Sequence, residues 1–423
     1  MNEPDPALPF SALGLVPALA HAAAAQGYDQ PTPVQAAAIP LLLQGRDLRA
    51  SAPTGSGKTA AFVLPLLQRW TGAPRQQPRH LHTLVLVPTR ELATQVAEQV
   101  QALAAALPEP PRLVRAIGGV SINPQMLALR GGADIVVATP GRALDLAARH
   151  ALRLDGLQAL VLDEADRLLD LGFADELQQL LRRLPAERQT LLFSATFPPA
   201  VQALADGLLR DPAQVQAPAQ LAALPDIAQR AIVVDTGRRT QLLRHLIAQE
   251  AWPQVLVFVA TKLACETVAA KLRKAGLSAE PLHGQLSQGK RSQVLADFKA
   301  ARVQVMVATD LAARGIDIVQ LPAVVNFDLA RSPTEHVHRI GRTGRAGASG
   351  VALSFVPPAS EAHFQLIEKR QGLAVAREQV PGFEAREAAP AAVSDPQGGI
   401  KGRRPSKKDK LRAAAAAADA GKP

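Results

Sequence analysis

The sequence is poor in cysteine, in aromatic residues and in long apolar runs. Its one cysteine, Cys265, cannot form an internal disulfide and has no metal-ligand or nucleophile spacing around it, so we expect a buried thiol in a reducing cytoplasm. Aromatic residues make up 3% of the chain, which argues against an extended base-stacking platform. No uncharged apolar run is long enough to cross a bilayer, and the acidic, proline-rich start is unlike a secretory signal. We therefore expect a cytoplasmic protein with no membrane contact.

Positive charge is in excess, and most of it lies near the end of the sequence. The formal net charge is +10, and residues 401–423 hold eight Lys and Arg against two Asp, which leaves +4 for the other 400 residues. The segment 401–412 is therefore predicted to be a flexible arm attracted to polyanions. A merely solubilising tail is the alternative.

Short apolar runs alternate with longer helical patterns, which predicts parallel sheets covered on both faces. The predicted strands cover 83–87, 134–138, 159–162 and 190–193 in a first series, and 231–234, 255–259, 303–307 and 351–355 in a second. A Pro-, Ala- and Gln-rich stretch at 211–226 separates the two series and is typical of a linker. Periodicity fades after about residue 375. We predict two tandem α/β domains, 1–217 and 218–375, followed by a disordered basic tail, 376–423.

The stretch "ASAPTGSGKTA" at 50–60 has the pattern of a phosphate-binding loop. Small residues allow successive backbone N–H groups to point at one phosphate, and a helix beginning near Thr59 adds its dipole. Lys58 would add a point charge, and the Thr59 hydroxyl is suited to ligate Mg²⁺. Ala52 stands where the usual pattern opens with Gly. The two glycines of "TGSGKT" keep the tightest part of the turn, so the pattern still predicts a nucleotide site.

Three carboxylates, Asp163, Glu164 and Asp166, directly follow the apolar run at 159–162. Clustered like charges are destabilising unless a cation compensates them. Taken alone, the cluster is interpreted equally well as a solvated turn before a helix or as a metal site. Together with the phosphate loop, it favours the metal site, in which Asp163 would hold Mg²⁺ and Glu164 would orient or deprotonate the attacking water. The sequence thus predicts hydrolysis of ATP or GTP.

These motifs resemble those of the DEAD-box ATP-dependent RNA helicases, in a short bacterial, RhlE-like form. The signature Asp-Glu-Ala-Asp lies at 163–166, and the resemblance spans roughly residues 10–375. Its other motifs follow in the family's order: "GYDQPTPVQ" (27–35) with Phe10 upstream, "PTRELA" (88–93), Gly118-Gly119, "TPGR" (139–142), Ser194-Ala195-Thr196, "QGKR" (288–291), "ATDLAARGIDI" (308–318) and "HRIGRTGR" (338–345). The resemblance implies two RecA-like domains that use ATP and Mg²⁺ to unwind short RNA duplexes locally.

The resemblance also assigns residues to the nucleotide, with Tyr28 and Gln35 selecting adenine. The implied catalytic residues are Glu164, Lys58 and the arginine fingers Arg342 and Arg345, which reach the γ-phosphate from the second domain. The implied ATP-binding residues are Phe10, Tyr28, Gln35, Ala52, Pro53, Thr54, Gly55, Ser56, Gly57, Lys58, Thr59, Asp163 and Asp317, of which Thr59 and Asp163 also ligate Mg²⁺. The residues implied to couple hydrolysis to strand separation are Asp166, Ser194, Thr196 and His338.

A further set of residues is implied to bind RNA. Small residues, hydroxyls and guanidinium groups suit backbone phosphates and 2′-hydroxyls, which implies sequence-independent binding. The set consists of Thr89, Arg90, Gly118, Gly119, Thr139, Gly141, Arg142, Gln288, Arg291, Thr309 and Arg314.

The sequence departs from the family pattern at two positions and leaves the cellular role open. His336 stands where the family commonly has Tyr, and Ala330 where Pro is usual; we expect effects on packing around the finger segment and not on activity. An ATP-gated RNA clamp or annealing factor and a DNA-directed motor are the alternative functions. Ribosome assembly and RNA decay are both common settings for bacterial members of the family, so precursors of the ribosome or the RNA-decay machinery are the expected partners.

Overall fold

The computed structural model describes residues 9–52, 55–72, 79–216, 227–313, 321–344 and 350–387. Within these ranges the chain forms two seven-stranded sheets, and every strand pairing is parallel. The first half of the chain, up to residue 216, builds one sheet, and the second half, from residue 227, builds the other.

The first half begins with a 3₁₀ turn at Ser11–Leu13 and then alternates helices with strands. Its strands are β1 Leu48–Ser51, β2 Thr83–Leu86, β3 Leu113–Ala116, β4 Ile135–Ala138, β5 Ala159–Leu162, β6 Gln189–Ser194 and β7 Ala213–Gln216. Its helices are α1 Pro17–Ala25, α2 Pro33–Leu43, α3 Lys58–Thr71, α4 Arg90–Ala104, α5 Asn123–Ala128, α6 Pro140–Ala148, α7 Ala165–Asp170, α8 Ala174–Leu181 and α9 Pro199–Leu208.

The second half repeats this alternation, with 3₁₀ turns at Thr236–Arg238 and Pro358–Ser360. Its strands are β8 Ile227–Val233, β9 Val255–Val259, β10 Ala279–Leu282, β11 Val305–Thr309, β12 Ala323–Asn326, β13 Gly350–Val356 and β14 Arg377–Glu378. Its helices are α10 Arg239–Glu250, α11 Lys262–Lys274, α12 Gln288–Lys299, α13 Asp310–Ala313, α14 Pro333–Ile340 and α15 Glu361–Gln371.

The two sheets share one topology. The strand order is β3-β4-β2-β5-β6-β1-β7 in the first and β10-β11-β9-β12-β13-β8-β14 in the second. Each strand of the first half thus has a counterpart in the second half at the same place in the sheet. A loop that follows a given strand therefore emerges at the equivalent position in both halves.

Both faces of the first sheet are buried, and this explains the continuous apolar runs. Val85 and Val161 point into one hydrophobic cluster, whereas the adjacent Leu84 and Leu160 point into another on the opposite face. The second sheet is likewise covered on both faces by separate clusters. Strands buried on both faces have no polar side to expose, so the alternation of an exposed strand is absent. The predicted fold class, tandem α/β units with parallel sheets, is confirmed.

The structure corrects the predicted start of the linker. Residues 213–216 form β7, which pairs with β1 in the register Leu48 to Ala213. Ala213 and Val215 are buried while the glutamines between and after them are exposed. The strand has only four residues, so the Pro-, Ala- and Gln-rich composition around it hides this two-residue alternation. The predicted domain division between 217 and 218 lies at residues outside the described ranges and stays a prediction.

The structure also moves the predicted start of the tail. β14 pairs with β8 beyond residue 375, and Val380 lies in the hydrophobic cluster of the second sheet. The backbone N–H groups of Arg386 and Glu387 donate hydrogen bonds to Asp235, at 2.8 and 2.9 Å. The second half therefore includes residues up to at least 387. The basic segment 401–412 lies outside the described residues.

Cys265 is fully buried and unpaired, as predicted. Its Sγ lies 2.7 Å from the carbonyl oxygen of Val307, to which it donates. Burial raises the pKa of the thiol to about 12, so it stays protonated at neutral pH. No helix in the described ranges combines the length and the apolar character that crossing a bilayer requires.

Two histidines are buried as neutral rings. His82 precedes β2, and its Nδ1 lies 2.8 Å from Thr83 Oγ1. His336 packs edge-to-face against Phe364 with ring centroids 6.2 Å apart. Burial lowers the pKa of each histidine to about 4, and a nearby cation, Arg69 for His82 and Arg339 for His336, acts in the same direction.

These histidines predict a loss of stability in mild acid. Between pH 6.5 and about 4 these histidines are protonated in the unfolded chain but stay neutral in the folded protein. The free energy of unfolding therefore falls as the pH falls, by up to about 3 kcal/mol per ring. His336→Phe should remove the part of this decrease in the free energy of unfolding that His336 contributes. Denaturant unfolding at pH 7, 6, 5 and 4 measures it, with the exposed His245→Phe as the control. Parallel curves for the parent and His336→Phe would show that His336 does not titrate on unfolding.

Candidate active site

The predicted site residues that end or follow strands of the first half lie in two adjoining zones at one edge of its sheet. Loops that follow parallel strands emerge at the carboxyl edge, and the strand order decides which loops are neighbours. β5, β6 and β1 are neighbours, and so are β3, β4 and β2. The predicted nucleotide residues Asp163 and Ala52 follow β5 and β1, and the predicted coupling residue Ser194 ends β6 between them. The predicted RNA residues Thr89, Gly118 and Thr139 follow the other three strands.

The phosphate loop is held by Gln35 from the preceding helix. Gln35 is 2% exposed; its Oε1 accepts from the backbone N–H of Thr32 at 2.8 Å, and its Nε2 donates to the carbonyl of Gly57 at 3.1 Å. Gly57 has a φ of 88°, and a Cβ there would lie 2.5 Å from Gln35 Nε2, so only glycine fits. The Nζ of buried Lys58 donates to the carbonyl of Ala52 at 3.1 Å. The loop is therefore pinned at both ends by side chains that the motif predicted.

The predicted adenine residues are placed unequally. Phe10 is 1% exposed and lies in the hydrophobic core of the first half. Tyr28 is half-buried, and its hydroxyl accepts from Gln99 Nε2 at 2.6 Å. Gln35 uses one acceptor site of its oxygen on Thr32 and one N–H on Gly57, so one acceptor site and one N–H remain for an incoming base. Pro53, Thr54 and Asp317 lie outside the described residues.

Asp163 and Glu164 are both buried at the mouth of the core, 2% and 5% exposed. Asp163 Oδ1 accepts from the backbone N–H of Glu164 at 2.9 Å. Burial raises the pKa of Asp163 to about 6; the Lys58 cation opposes this rise, and the Glu164 charge adds to it. Glu164 itself has a left-handed backbone, φ 51° and ψ 53°, a conformation that costs energy for a residue other than glycine. Strain and buried charge coincide here, as they do at functional sites.

Arg167 is a buried residue of this site that sequence analysis missed. It is 3% exposed, its Nη1 donates to Glu164 Oε2 at 2.8 Å, and its Nη2 donates to His338 Nδ1 at 3.1 Å. A guanidinium has no acceptor, so His338 Nδ1 must accept in this bond. The spacing of Glu164 and Arg167 by three residues was the only signal, and it is equally typical of a solvated helix face.

The predicted coupling residues meet in one network. Asp166 Oδ2 accepts from the backbone N–H and the hydroxyl of Thr196, at 3.0 and 2.8 Å. The backbone N–H of Asp166 donates to Ser194 Oγ at 3.2 Å, and that hydroxyl donates to the carbonyl of Thr196 at 2.7 Å. His338 reaches the same helix through Arg167. The end of β6 is thereby tied to the helix that carries the acidic cluster.

The arginines of "HRIGRTGR" have different surroundings. Arg339 is a structural residue: it binds Asp310 with two hydrogen bonds, at 2.5 and 2.6 Å, and donates to Asn326 and the carbonyl of Asp328. Arg342 is 5% exposed and lines a cavity together with His338 and with Arg167 of the first half. Arg345 lies outside the described residues.

The two departures from the family pattern fall on packing positions. His336 is 2% exposed against Phe364, and its Nδ1 has no hydrogen-bond partner among the described residues. Ala330 is fully buried, and its carbonyl lies 2.7 Å from His363 Nε2. Both contacts join the segment around α14 to α15.

Glycine and guanidinium groups shape the predicted RNA zone. Gly119 has a φ of 70°, and a Cβ there would lie within 2.2 Å of the Arg90 guanidinium, so glycine lets Arg90 cross the loop. Gly118 N–H donates to Thr139 Oγ1 at 3.3 Å. Arg142 donates to the carbonyl of Val120 at 2.8 Å, while its buried Nε and Nη1 have no hydrogen-bond partner in the described part of the chain.

The remaining predicted RNA residues divide between the two halves. Thr89 caps α4 by accepting from Leu92 N–H at 3.2 Å, and Gly141 is half-buried in the first turn of α6. Gln288 begins α12, and Thr309 ends β11, at the carboxyl edge of the second sheet. Arg314 lies outside the described ranges.

Arg291 is engaged by the other half of the chain. Its Nη2 lies 2.8 Å from Oε1 of Glu91, and the two side chains are 7% and 4% exposed. The contact is an ion pair that is not aligned as a hydrogen bond. Burial lowers the pKa of Arg291, with the Glu91 charge acting against this. Glu91 belongs to the first turn of α4 and was not among the predicted site residues.

Comparison with known proteins agrees with this geometry. Residues 32–204 match the family model for DEAD/DEAH box helicases, and residues 238–347 match the helicase conserved C-terminal domain. The ATP-dependent RNA helicase DbpA of Escherichia coli (strain K12) is 46% identical over 78% of this chain and 71% of its own length. The chain belongs to the DEAD-box RNA helicases. Its family resemblance is thereby confirmed, and it is an ATP-hydrolysing enzyme that binds and unwinds RNA.

Two further similarities support the helicase assignment. The DEAD-box ATP-dependent RNA helicase CshA of Geobacillus kaustophilus (strain HTA426) is 40% identical over 85% of this chain and 76% of its own length. The solved structure of S. cerevisiae Dbp5 bound to RNA and ADP BeF3 covers 88% of this chain and 96% of that chain, with 32% identity and a TM-score of 0.76. The two halves are thus RecA-like domains in tandem.

The ion pair between Glu91 and Arg291 predicts a charge-reversal effect in this helicase. Glu91→Arg or Arg291→Glu would place like charges in a buried site, and we expect each to lower RNA-stimulated ATPase at least about tenfold. The double variant should recover much of the activity because attraction is restored. ATPase titrations with RNA measure this, and Arg302→Glu, which breaks a more exposed pair with Asp297 within the second half, serves as the control.

The same experiment separates two roles of Arg291. If the double variant is no more active than Arg291→Glu alone, Arg291 acts by touching RNA and not by joining the two halves.

Proposed function

We propose that this helicase hydrolyses ATP with Mg²⁺ between its two domains, 1–217 and 218 to at least 387, while RNA lies across the carboxyl edges of both sheets. One observation carries the proposal: the buried acidic pair beside Lys58 is joined through Arg167 to His338 of the other half, at 2.8 and 3.1 Å. A site built from both halves suits a reaction that requires them to close. RNA bridging the halves would favour that closure.

We assign the chemical roles by the groups present. Glu164 would orient or deprotonate the attacking water, and Lys58 would hold the β- and γ-phosphates. Arg342 and Arg345 would act as fingers from the second domain, a role that the position of Arg342 beside His338 supports. The remaining ATP-binding and coupling residues are proposed as the motifs imply, including those outside the described residues.

The residues present fit a Mg²⁺ ion. Asp163 is a buried carboxylate, and burial raises its pKa, so a cation beside it would favour its charged form. Thr59 offers a hydroxyl in the first turn of α3, directly after Lys58. No group of three or more His, Cys, Asp or Glu in the described ranges could hold a metal ion by itself. Mg²⁺ at nucleotide sites needs only one or two protein ligands besides phosphate and water. When bound, it would neutralise phosphate charge.

We propose sequence-independent RNA binding through the RNA zone. The Arg142 Nε and Nη1 groups, which make no hydrogen bond within the described ranges, and the nearby hydroxyl of Thr139 suit phosphate oxygens and ribose hydroxyls. The basic segment 401–412 would add non-specific attraction. We further propose a cytoplasmic location and a role in ribosome assembly or RNA decay, with ribosome precursors or the decay machinery as partners.

Two substitutions test the nucleotide site. Glu164→Gln should lower the turnover of ATP by at least about 10²-fold while nucleotide and RNA still bind, because it removes the base and keeps the shape. Lys58→Ala should weaken nucleotide binding itself, because a phosphate loses its charged partner. Steady-state ATPase and binding of a fluorescent ATP analogue measure the two effects. Near-normal turnover of Glu164→Gln would remove Glu164 from the mechanism.

A comparison of nucleic acids tests the substrate. Single-stranded RNA should stimulate ATPase more than DNA of equal length, because the predicted contacts include 2′-hydroxyls. ATP, and not a non-hydrolysable analogue, should support repeated strand release from a short RNA duplex. Equal stimulation by DNA would favour a DNA-directed motor, and release without hydrolysis would favour an ATP-gated clamp.

A further inference from the structure

Arg167 makes the contact that links the proposed base to the other half of the chain. Its guanidinium donates to Glu164 Oε2 at 2.8 Å and to His338 Nδ1 at 3.1 Å. Both Glu164 and Arg167 are buried, at 5% and 3% exposed. The family signature ends at Asp166, so the motif assigns no role to the arginine after it.

The local backbone explains why Glu164 depends on such a partner. Glu164 occupies the N-cap of α7 in a left-handed conformation, and its side chain makes no capping hydrogen bond to the helix. Its carboxylate is therefore oriented by side-chain contacts and not by its own backbone. The planar guanidinium of Arg167 has donors pointing in two directions, which allows one group to fix the carboxylate and reach the imidazole.

We propose that Arg167 is a positioning residue that sets the Glu164 carboxylate for hydrolysis only while His338 of the second half is in contact. The proposal rests on the proposed function, in which Glu164 acts on the attacking water. When the halves part, the guanidinium loses one of its two partners, and the carboxylate loses a fixed orientation. Hydrolysis would thus be coupled to closure at the base itself, in addition to the arginine fingers.

The neighbouring network does not replace this contact. Asp166 accepts from the backbone N–H of Arg167 at 3.0 Å and from Thr196, so its hydrogen bonds survive a change of the Arg167 side chain. A substitution at Arg167 therefore addresses the link between Glu164 and His338 and leaves the link between Asp166 and β6 in place.

The kinetic test is Arg167→Met, which keeps the length of the side chain and removes its donors. We expect kcat for RNA-stimulated ATP hydrolysis to fall at least about tenfold with the KM for ATP within about twofold of the parent, since Arg167 is assigned no contact with nucleotide. Arg167→Lys should recover part of kcat because one donor can still reach Glu164. Arg183→Met, an exposed arginine after α8, is the matched control and should match the parent.

A double-variant cycle separates positioning from simple stabilisation. Because Arg167 and His338 are proposed to act as one unit, the fall in kcat for Arg167→Met with His338→Phe should equal that of the worse single variant. Multiplying effects would overturn the proposal and assign Arg167 a role in stability alone. If Arg167→Met does not fold, the same cycle is run with Arg167→Lys.

Glu164→Gln distinguishes the failure of this inference from that of the proposed function. If Glu164→Gln is inactive while Arg167→Met has a normal kcat, the inference about Arg167 is overturned and the proposed role of Glu164 as the base is kept. An active Glu164→Gln would overturn both. An inactive Glu164→Gln, a low kcat for Arg167→Met and a non-additive cycle together would support the inference.

Discussion

Buried charge at the carboxyl edge of the first sheet is the constraint on which the rest of the structure depends. Lys58, Asp163, Glu164 and Arg167 are each less than 7% exposed, and they hold two cations against two carboxylates. Removing ions from water costs several kcal/mol each unless partners are close and well aligned. The phosphate loop, the left-handed Glu164 and the start of α7 are arranged so that each charge has an opposite one nearby. Burial nevertheless raises the pKa of Asp163 to about 6, with the Lys58 cation opposing this rise and the Glu164 charge adding to it.

The shared topology of the two sheets places complementary groups at matching edges. In the first half the nucleotide zone follows β5, β6 and β1, and in the second half α14 follows β12, the counterpart of β5. The contact of Arg167 with His338 joins α7 to α14, and the ion pair of Glu91 with Arg291 joins α4 to α12, two helices that carry predicted RNA residues. Each contact uses a buried guanidinium group. If the two halves separated, that group would lose its partner and enter water, so the closed and the separated arrangements are distinct states. Within the described ranges, each of these two contacts links the first half to the second.

The sequence predicted strands well where both faces are buried and poorly where polar residues interrupt the run. β5 and β9 agree with the predicted bounds, since their apolar residues are continuous. β1 and β3 each carry an arginine within four residues, and no strand was predicted for either. β7 and β14 lie in segments whose composition is typical of a linker or a tail. Pairing with a neighbouring strand made these segments regular, and pairing partners are not visible in local composition.

Sequence by itself determined the family and the fold class, and it predicted which groups would meet a nucleotide, because each motif carries its chemistry within a few adjacent residues. Ala52, Lys58 and Asp163 could be recognised in this way, whereas the hydrogen bonds of Asp166 with Ser194 and Thr196 join two motifs about 30 residues apart and were visible only in the structure. Only the tertiary structure decided that Glu91 faces Arg291, that Arg167 reaches His338 and that Phe10 lies in the core. The first of these contacts joins residues 200 positions apart, because Glu91 lies on α4 of the first half and Arg291 on α12 of the second. Such contacts depend on how the two halves of the chain pack against each other, and no local sequence pattern encodes that packing.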